Sequence, residues 1–130
     1  MFAISILSAF FIYTAKAAAE QEELESAYKK YTDAINNLDI EQFKKSVAAE
    51  VLKKINATPA AQIRPLMETV KKLTARNVTI VGKNIADDSG TLSLTGTDPI
   101  TGTKINGTVY FVKENGEWKL QEEQWENSTP

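Results

Sequence analysis

The 130-residue chain has no cysteine and no histidine. Without cysteine there is no disulfide and no site for the lipid of a bacterial lipoprotein, so the fold must hold by its core alone. Without histidine, Ser-His-Asp and Cys-His nucleophilic systems are excluded, and only carboxylates remain to hold a metal ion. The six glycines lie singly, so no glycine-rich phosphate loop exists. Positive charge is not in excess: 15 Lys and Arg stand against 17 Asp and Glu, a net charge of −2. That balance argues against nucleic acid as a partner and against a polybasic membrane-binding patch. No apolar run reaches the roughly 20 residues needed to cross a bilayer.

What is present begins at the N-terminus. Phe2 to Tyr13 is apolar or small, and small residues follow in Ala15-Lys16-Ala17 and Ala17-Ala18-Ala19. This is the order of a secretory signal peptide, here residues 1–19, although no Lys or Arg precedes the apolar run. The expectation is an exported protein, periplasmic or secreted, with an uncleaved N-terminal membrane anchor as the alternative. Removing Lys16 with the signal makes the mature chain one unit more negative. Residues 20–126 then form a single domain, long enough for one core, and residues 127–130 a polar tail. Asn-x-Ser/Thr triplets at Asn56, Asn77, Asn106 and Asn127 bear on glycosylation only in a eukaryotic secretory route.

Three helices are expected first. Leu24, Ala27, Tyr28, Tyr31, Ala34, Ile35 and Leu38 recur at three- and four-residue steps, which puts them on one face of a helix over Glu20 to Leu38. Asp39 caps a second helix, with Gln42 in the capping-box position and Phe43, Val47, Val51 or Leu52, and Ile55 as its apolar stripe. Pro59 to Ile63 reads as a short turn, because Pro65 lacks an amide and clashes with a preceding helical turn. A third helix starts at Pro65 and ends near Ala75, with Leu66, Met67, Val70 and Leu73 inward.

After Arg76 the apolar period changes to two. Val78, Ile80 and Ile85 mark a first strand with a bulge or bend at Gly82. Asp87-Asp88-Ser89-Gly90 is a turn, and its lack of alternating acids and a distal Glu sets it apart from a calcium loop. Leu92 and Leu94 lie in a second strand and Asp98 to Gly102 in a loop. Ile105, Gly107, Val109 and Phe111 share one face of a third strand, with Tyr110 and Val112 on the other. Asn115-Gly116 is a hairpin signal, since both residues tolerate positive φ. Trp118 and Leu120 open a fourth strand that continues toward Trp125. Helices followed by strands predict an α+β fold, three N-terminal helices packed on a curved four-stranded antiparallel sheet.

Tyr28-x-x-Tyr31-x-x-Ala34-x-x-x-Leu38-Asp39-x-x-x-Phe43, followed by Val109-Tyr110-Phe111-Val112-Lys113-Glu114-Asn115-Gly116-Glu117-Trp118-Lys119-Leu120, resembles the nuclear transport factor 2-like superfamily. More narrowly, the chain is similar to short bacterial envelope proteins of that group. The resemblance covers most of residues 20–126 and implies a cone whose sheet wraps around the helices to enclose an apolar pocket. Its members include isomerases, dehydratases, polyketide cyclases, scaffolds and binding modules, so the fold does not name the function. The related cystatin shape lacks its inhibitory Gln-x-Val-x-Gly motif here.

Enzymes of that superfamily pair a tyrosine or histidine with an aspartate in the cone. Tyr28 and Tyr31 are the polar tips that the resemblance offers, with Asp33 or Glu122 as the acid. Asp33 lies off the apolar stripe, and both tyrosines are equally well explained as core residues with hydroxyls at its edge. No catalytic set emerges. The expectation is therefore a non-enzymatic domain that binds a small apolar molecule or an envelope partner protein, without cofactor or metal. Tyr28, Tyr31, Phe43, Tyr110 and Trp118 are the ligand-side residues. Trp125 covers the pocket mouth or forms a subunit contact, and the sheet offers a surface for a homodimer. The alternatives are a membrane-anchored scaffold or accessory subunit, and a small isomerase- or hydrolase-like enzyme. The lysine pairs at 29–30, 44–45, 53–54 and 71–72 read as solvated helix faces.

Overall fold

A computed structural model describes the backbone of residues 2–128 and the side chains of residues 17–128. The side chains of residues 1–16, and with them most of the expected export segment, lie outside the described residues, as do Thr129 and Pro130 of the expected tail. Four helices precede four strands: α1 (Phe2–Asn36), α2 (Ile40–Ser46), α3 (Ala49–Asn56), α4 (Ala60–Leu73), β1 (Arg76–Ala86), β2 (Ser89–Thr97), β3 (Lys104–Glu114) and β4 (Glu117–Asn127). The strands form one antiparallel sheet in the order β1-β2-β3-β4. Among the described residues no helix is long and apolar enough to cross a membrane.

Helix α1 turns the expected stripe inward, with Leu24, Tyr28, Ala34 and Ile35 buried. It ends where Leu38 takes a left-handed conformation, φ 53°. The Asp39 amide then donates back to the Ala34 carbonyl at 2.9 Å. The Asp39 side chain caps α2 by accepting from the Gln42 amide at 3.1 Å.

Among the described residues the helices number four rather than three. The single helix expected from Asp39 to Ile55 breaks at Val47 and Ala48, which are extended. Val47 makes a parallel bridge to Leu120, and the Ala48 amide donates to the Leu120 carbonyl at 2.8 Å. The backbone bonds lost in the helix are thus regained on the sheet, and Val47 stays buried. Nor does Pro65 start the last helix; it lies inside α4. At that place it removes only the bond to the Ala61 carbonyl, one turn from the helix start, and Ala61 is exposed, so water can serve that oxygen. The earlier start turns Ile63 and Met67 into the buried pair, while Leu66 and Leu73, expected inward, are 49% and 58% exposed.

In the sheet, Leu92, Leu94, Val109 and Phe111 bury themselves against Leu24 and Tyr28, with Trp118 and Leu120 completing the main core. A second cluster of Val47, Ile55, Ile63 and Met67 lies among α2, α3 and α4, and Tyr31 packs against both clusters. The Asn115-Gly116 turn has φ 52° and 79°, the two positive values of a tight hairpin. The Asp87-Asp88 turn is shorter than expected, because Ser89 and Gly90 already pair in β2.

Besides a register shift between Arg76 and Thr79, two bulges interrupt the ladder. In β1, Ile80 faces Leu94 while Gly82 faces Ser93, which leaves Val81 extra. In β4, Leu120 faces Phe111 while Glu122 faces Tyr110, which leaves Gln121 extra. The second bulge sets the geometry of the site.

Candidate functional site

Straight alternation from Trp118 and Leu120 would send Glu122 inward. The extra Gln121 shifts the parity by one. Glu123 then stands opposite inward-facing Val109, and Trp125 opposite inward-facing Gly107. Glu122 is exposed and accepts from Gln124 Nε2 at 2.7 Å. The inward acid is therefore Glu123, not Glu122.

The Trp125 indole has a seat made for it on the sheet. A Cβ built on Gly107 would lie 2.7–2.8 Å from the Cδ2, Cε3 and Cε2 atoms of the ring, and one on Gly96 3.4 Å from Cζ3. Only glycine at 107 lets the ring lie this close. The ring is also held by Nε1, which donates to Glu123 Oε1 at 2.6 Å.

Helix α1 presents Tyr31 toward this corner, and the end of α4 presents Val70, Leu73 and Thr74. Together with Thr32, Ile35, Glu123 and Trp125 these side chains line a cavity of about 270 Å³. Tyr31 is the middle of an aromatic row: its ring centroid lies 6.4 Å from Tyr28 and 6.0 Å from Phe43. The cavity wall is thus mostly apolar, with one phenol, one indole and one carboxyl.

Electrostatics single out Glu123. Burial pushes its carboxyl above the usual range, and the hydrogen bond from Trp125 only partly opposes this. Burial also raises the Tyr28 and Tyr31 phenols, and the nearby Glu123 charge raises both further. The phenols therefore stay protonated at neutral pH. Among the described residues Glu123 belongs to no ion pair.

A raised carboxyl means that the protonated form is favoured by folding. The stability tied to this group is fully present below the unfolded-state value and is lost as pH rises through the folded-state value. Glu123→Gln keeps an oxygen for the indole and removes the charge. Thermal melts should show the variant above the parent at pH 7.5, with the gap narrowing toward pH 4. A gap independent of pH would refute the assignment of Glu123 as a desolvated group.

The other sequence-derived positions fall elsewhere. Tyr28 is buried in the main core behind Tyr31, and Phe43 packs against the second cluster. Tyr110 is on the outer face of β3, half-exposed. Trp118 lies at the opposite end of the sheet under Lys113, whose Nζ is 5.3 Å from the ring centroid. There it lines a larger, polar cavity of about 390 Å³ with Glu23, Lys30, Lys45, Glu117 and Lys119. Charges of both signs line that cavity, and Lys119 pairs with Glu117 at 3.0 Å. Asp33 is exposed and pairs with Lys29 at 2.7 Å. The structure thus joins Tyr31 and Trp125 with Glu123, a residue outside the expected set. One signal for it exists in the sequence. Trp118 and Trp125 have opposite strand parity, so both can face the core only if a residue between them is extra.

The architecture is that of an α+β domain whose curved sheet closes on its helices around a small cavity. A chain from Shewanella baltica OS155, described as an NTF2-like protein of unknown function, superposes with a TM-score of 0.56 at 11% identity, over 87% of this chain and 97% of its own. A protein designated Rd1NTF2_05, with substitutions, gives 0.57 at 11% identity over 82% and 99%. A SEC-C motif containing protein from Rhodopseudomonas palustris gives 0.51 at 14% over 71% and 70%. No protein-family model and no curated protein matches the sequence. The chain has the nuclear transport factor 2-like fold.

Proposed function

We propose that this chain is a non-enzymatic binding domain, working outside the cytoplasm, that takes a small and largely apolar molecule between α1, α4 and β4. The observation that carries this reading is the cavity itself, with apolar walls and few polar tips, Tyr31, Glu123 and Trp125. Ligand sites have this makeup, and about 270 Å³ lies at the small end of the usual range of roughly 300–1,000 Å³. A single aromatic ring with a short side chain is the size that fits. The apolar Phe2–Tyr13 run with its small-residue triplets supports the export setting.

The test is an amide and indole NMR titration with 2-phenylethanol, a neutral single-ring molecule. Saturable shifts should map to Tyr31, Val70, Leu73 and the Trp125 indole. Val70→Trp, which fills the cavity, should abolish them while leaving the rest of the spectrum folded. Shifts that persist in the filled variant, or no saturable shifts at all, would rule the cavity out as the site.

A second reading, a small proton-transfer enzyme, is favoured by one observation: a desolvated carboxyl beside a protonated phenol can give and take a proton. Turnover that disappears in Glu123→Gln while binding persists would select it.

A further inference from the structure

We infer that the cavity selects a small hydrophobic ammonium, an aromatic ring carried on a short primary amine. This inference rests on the reading that the cavity binds a small apolar molecule, and it names the charge of that molecule. Among the described residues Glu123 is the one acidic side chain lining the cavity, and no lysine or arginine lines it. Charge complementarity therefore admits a cation and rejects an anion.

The surroundings of Glu123 favour a cation further. Its Oε1 is taken by the Trp125 indole, a single neutral donor, and no ammonium or guanidinium of the described chain comes within ion-pair distance. A glutamine would hold the indole equally well without desolvating a charge. A carboxylate at this position keeps a second oxygen and adds an acidic group to the lining of a cavity flanked by two π-systems, Tyr31 and Trp125. Aromatic faces attract ammonium groups, most strongly where water is excluded. Apolar Ile35, Val70 and Leu73 supply contact for the ring. A bound ammonium would also lower the Glu123 carboxyl that burial alone has raised.

The experiment compares three isosteres on the full chain at pH 7.5 by NMR titration: 2-phenylethylammonium, 2-phenylethanol and phenylacetate. The ammonium should bind at least ten-fold more tightly than the alcohol, and phenylacetate should not bind. Glu123→Gln should bring the ammonium down to the affinity of the alcohol and leave the alcohol unchanged. Should Gln fail to fold, Glu123→Met serves the same comparison. If the alcohol binds in the cavity and the ammonium binds no better, the inference is overturned while the cavity remains a binding site. An ammonium preference that survives Glu123→Gln places the cation elsewhere on the acidic surface and overturns it equally. If neither molecule shifts Tyr31 and Trp125, both readings fall together.

Discussion

Phe111→Ala should lower the unfolding free energy by about 3–5 kcal/mol, the usual loss for a large aromatic side chain removed from a packed core. Phe111 is 1% exposed and sits among Leu24, Tyr28, Trp118 and Leu120. Its cross-strand neighbours explain why the void would stay open. On one side it pairs with Gly90, which has no side chain to move in, and on the other with Leu120, already buried. The space above Gly90 is filled by the methyl groups of Leu24, which would lie only 3.0 and 3.1 Å from an added Cβ. Leu24 is thus fixed in place by its own contacts.

A domain of this size holds about 5–15 kcal/mol in all, and without a disulfide there is no covalent reserve. A fall in Tm of more than about 10 °C is expected. Tyr110→Ala, one residue earlier on the outer face, should cost no more than about 1 kcal/mol. Urea denaturation of the two variants measures both. Equal losses would mean that β3 does not bury the face containing Phe111.

The same alternation that makes this contrast predictable was plain in the sequence. Ile105, Gly107, Val109 and Phe111 have one burial class and their neighbours another, because a strand with one face on the core must repeat every two residues. The Asp39 cap and the Asn115-Gly116 turn were equally plain, since each acts through its own side chain or backbone freedom within a few residues. The features that the sequence hid are all decided at a distance. Val47 and Ala48 have helical neighbours and helical periodicity, and they leave the helix for a carbonyl on Leu120, far along the chain. Pro65 stays in a helix because the one oxygen it strands is on the water side. Glu123 turns inward because a bulge spends Gln121, and a bulge costs so little that local sequence rarely marks it. Of the expected site, Tyr31 and Trp125 were legible as amphipathic aromatics. The carboxyl between them was marked only indirectly, by the opposite parity of Trp118 and Trp125, since its face depends on that shift.

Gly107→Ala should damage the site while leaving the strand order intact. The new methyl carbon would lie 2.7–2.8 Å from three ring atoms of Trp125, a separation that carbon atoms do not tolerate. The backbone there is clamped on both sides, since Gly107 pairs with Leu94 in β2 and with Trp125 itself in β4. The strand has little room to yield, so the indole must leave its seat. Moving it breaks the 2.6 Å bond to Glu123 and removes one wall of the cavity. Overpacking of this kind costs about 1–3 kcal/mol, so the variant should fold with a lowered Tm. Its effect on binding should be larger in proportion: at least a ten-fold loss for 2-phenylethanol and a red-shifted, more quencher-accessible Trp125 emission. Trp118, at the far end of the sheet, should keep its buried signal, which separates local displacement from general loosening. Trp125→Ala combined with Gly107→Ala gives the decisive comparison. If the clash is the cause, the double variant recovers stability relative to Trp125→Ala plus an independent Gly107→Ala cost, because the methyl group then occupies the space that the ring vacated. Strict additivity of the two losses would show that Gly107 matters for its backbone alone.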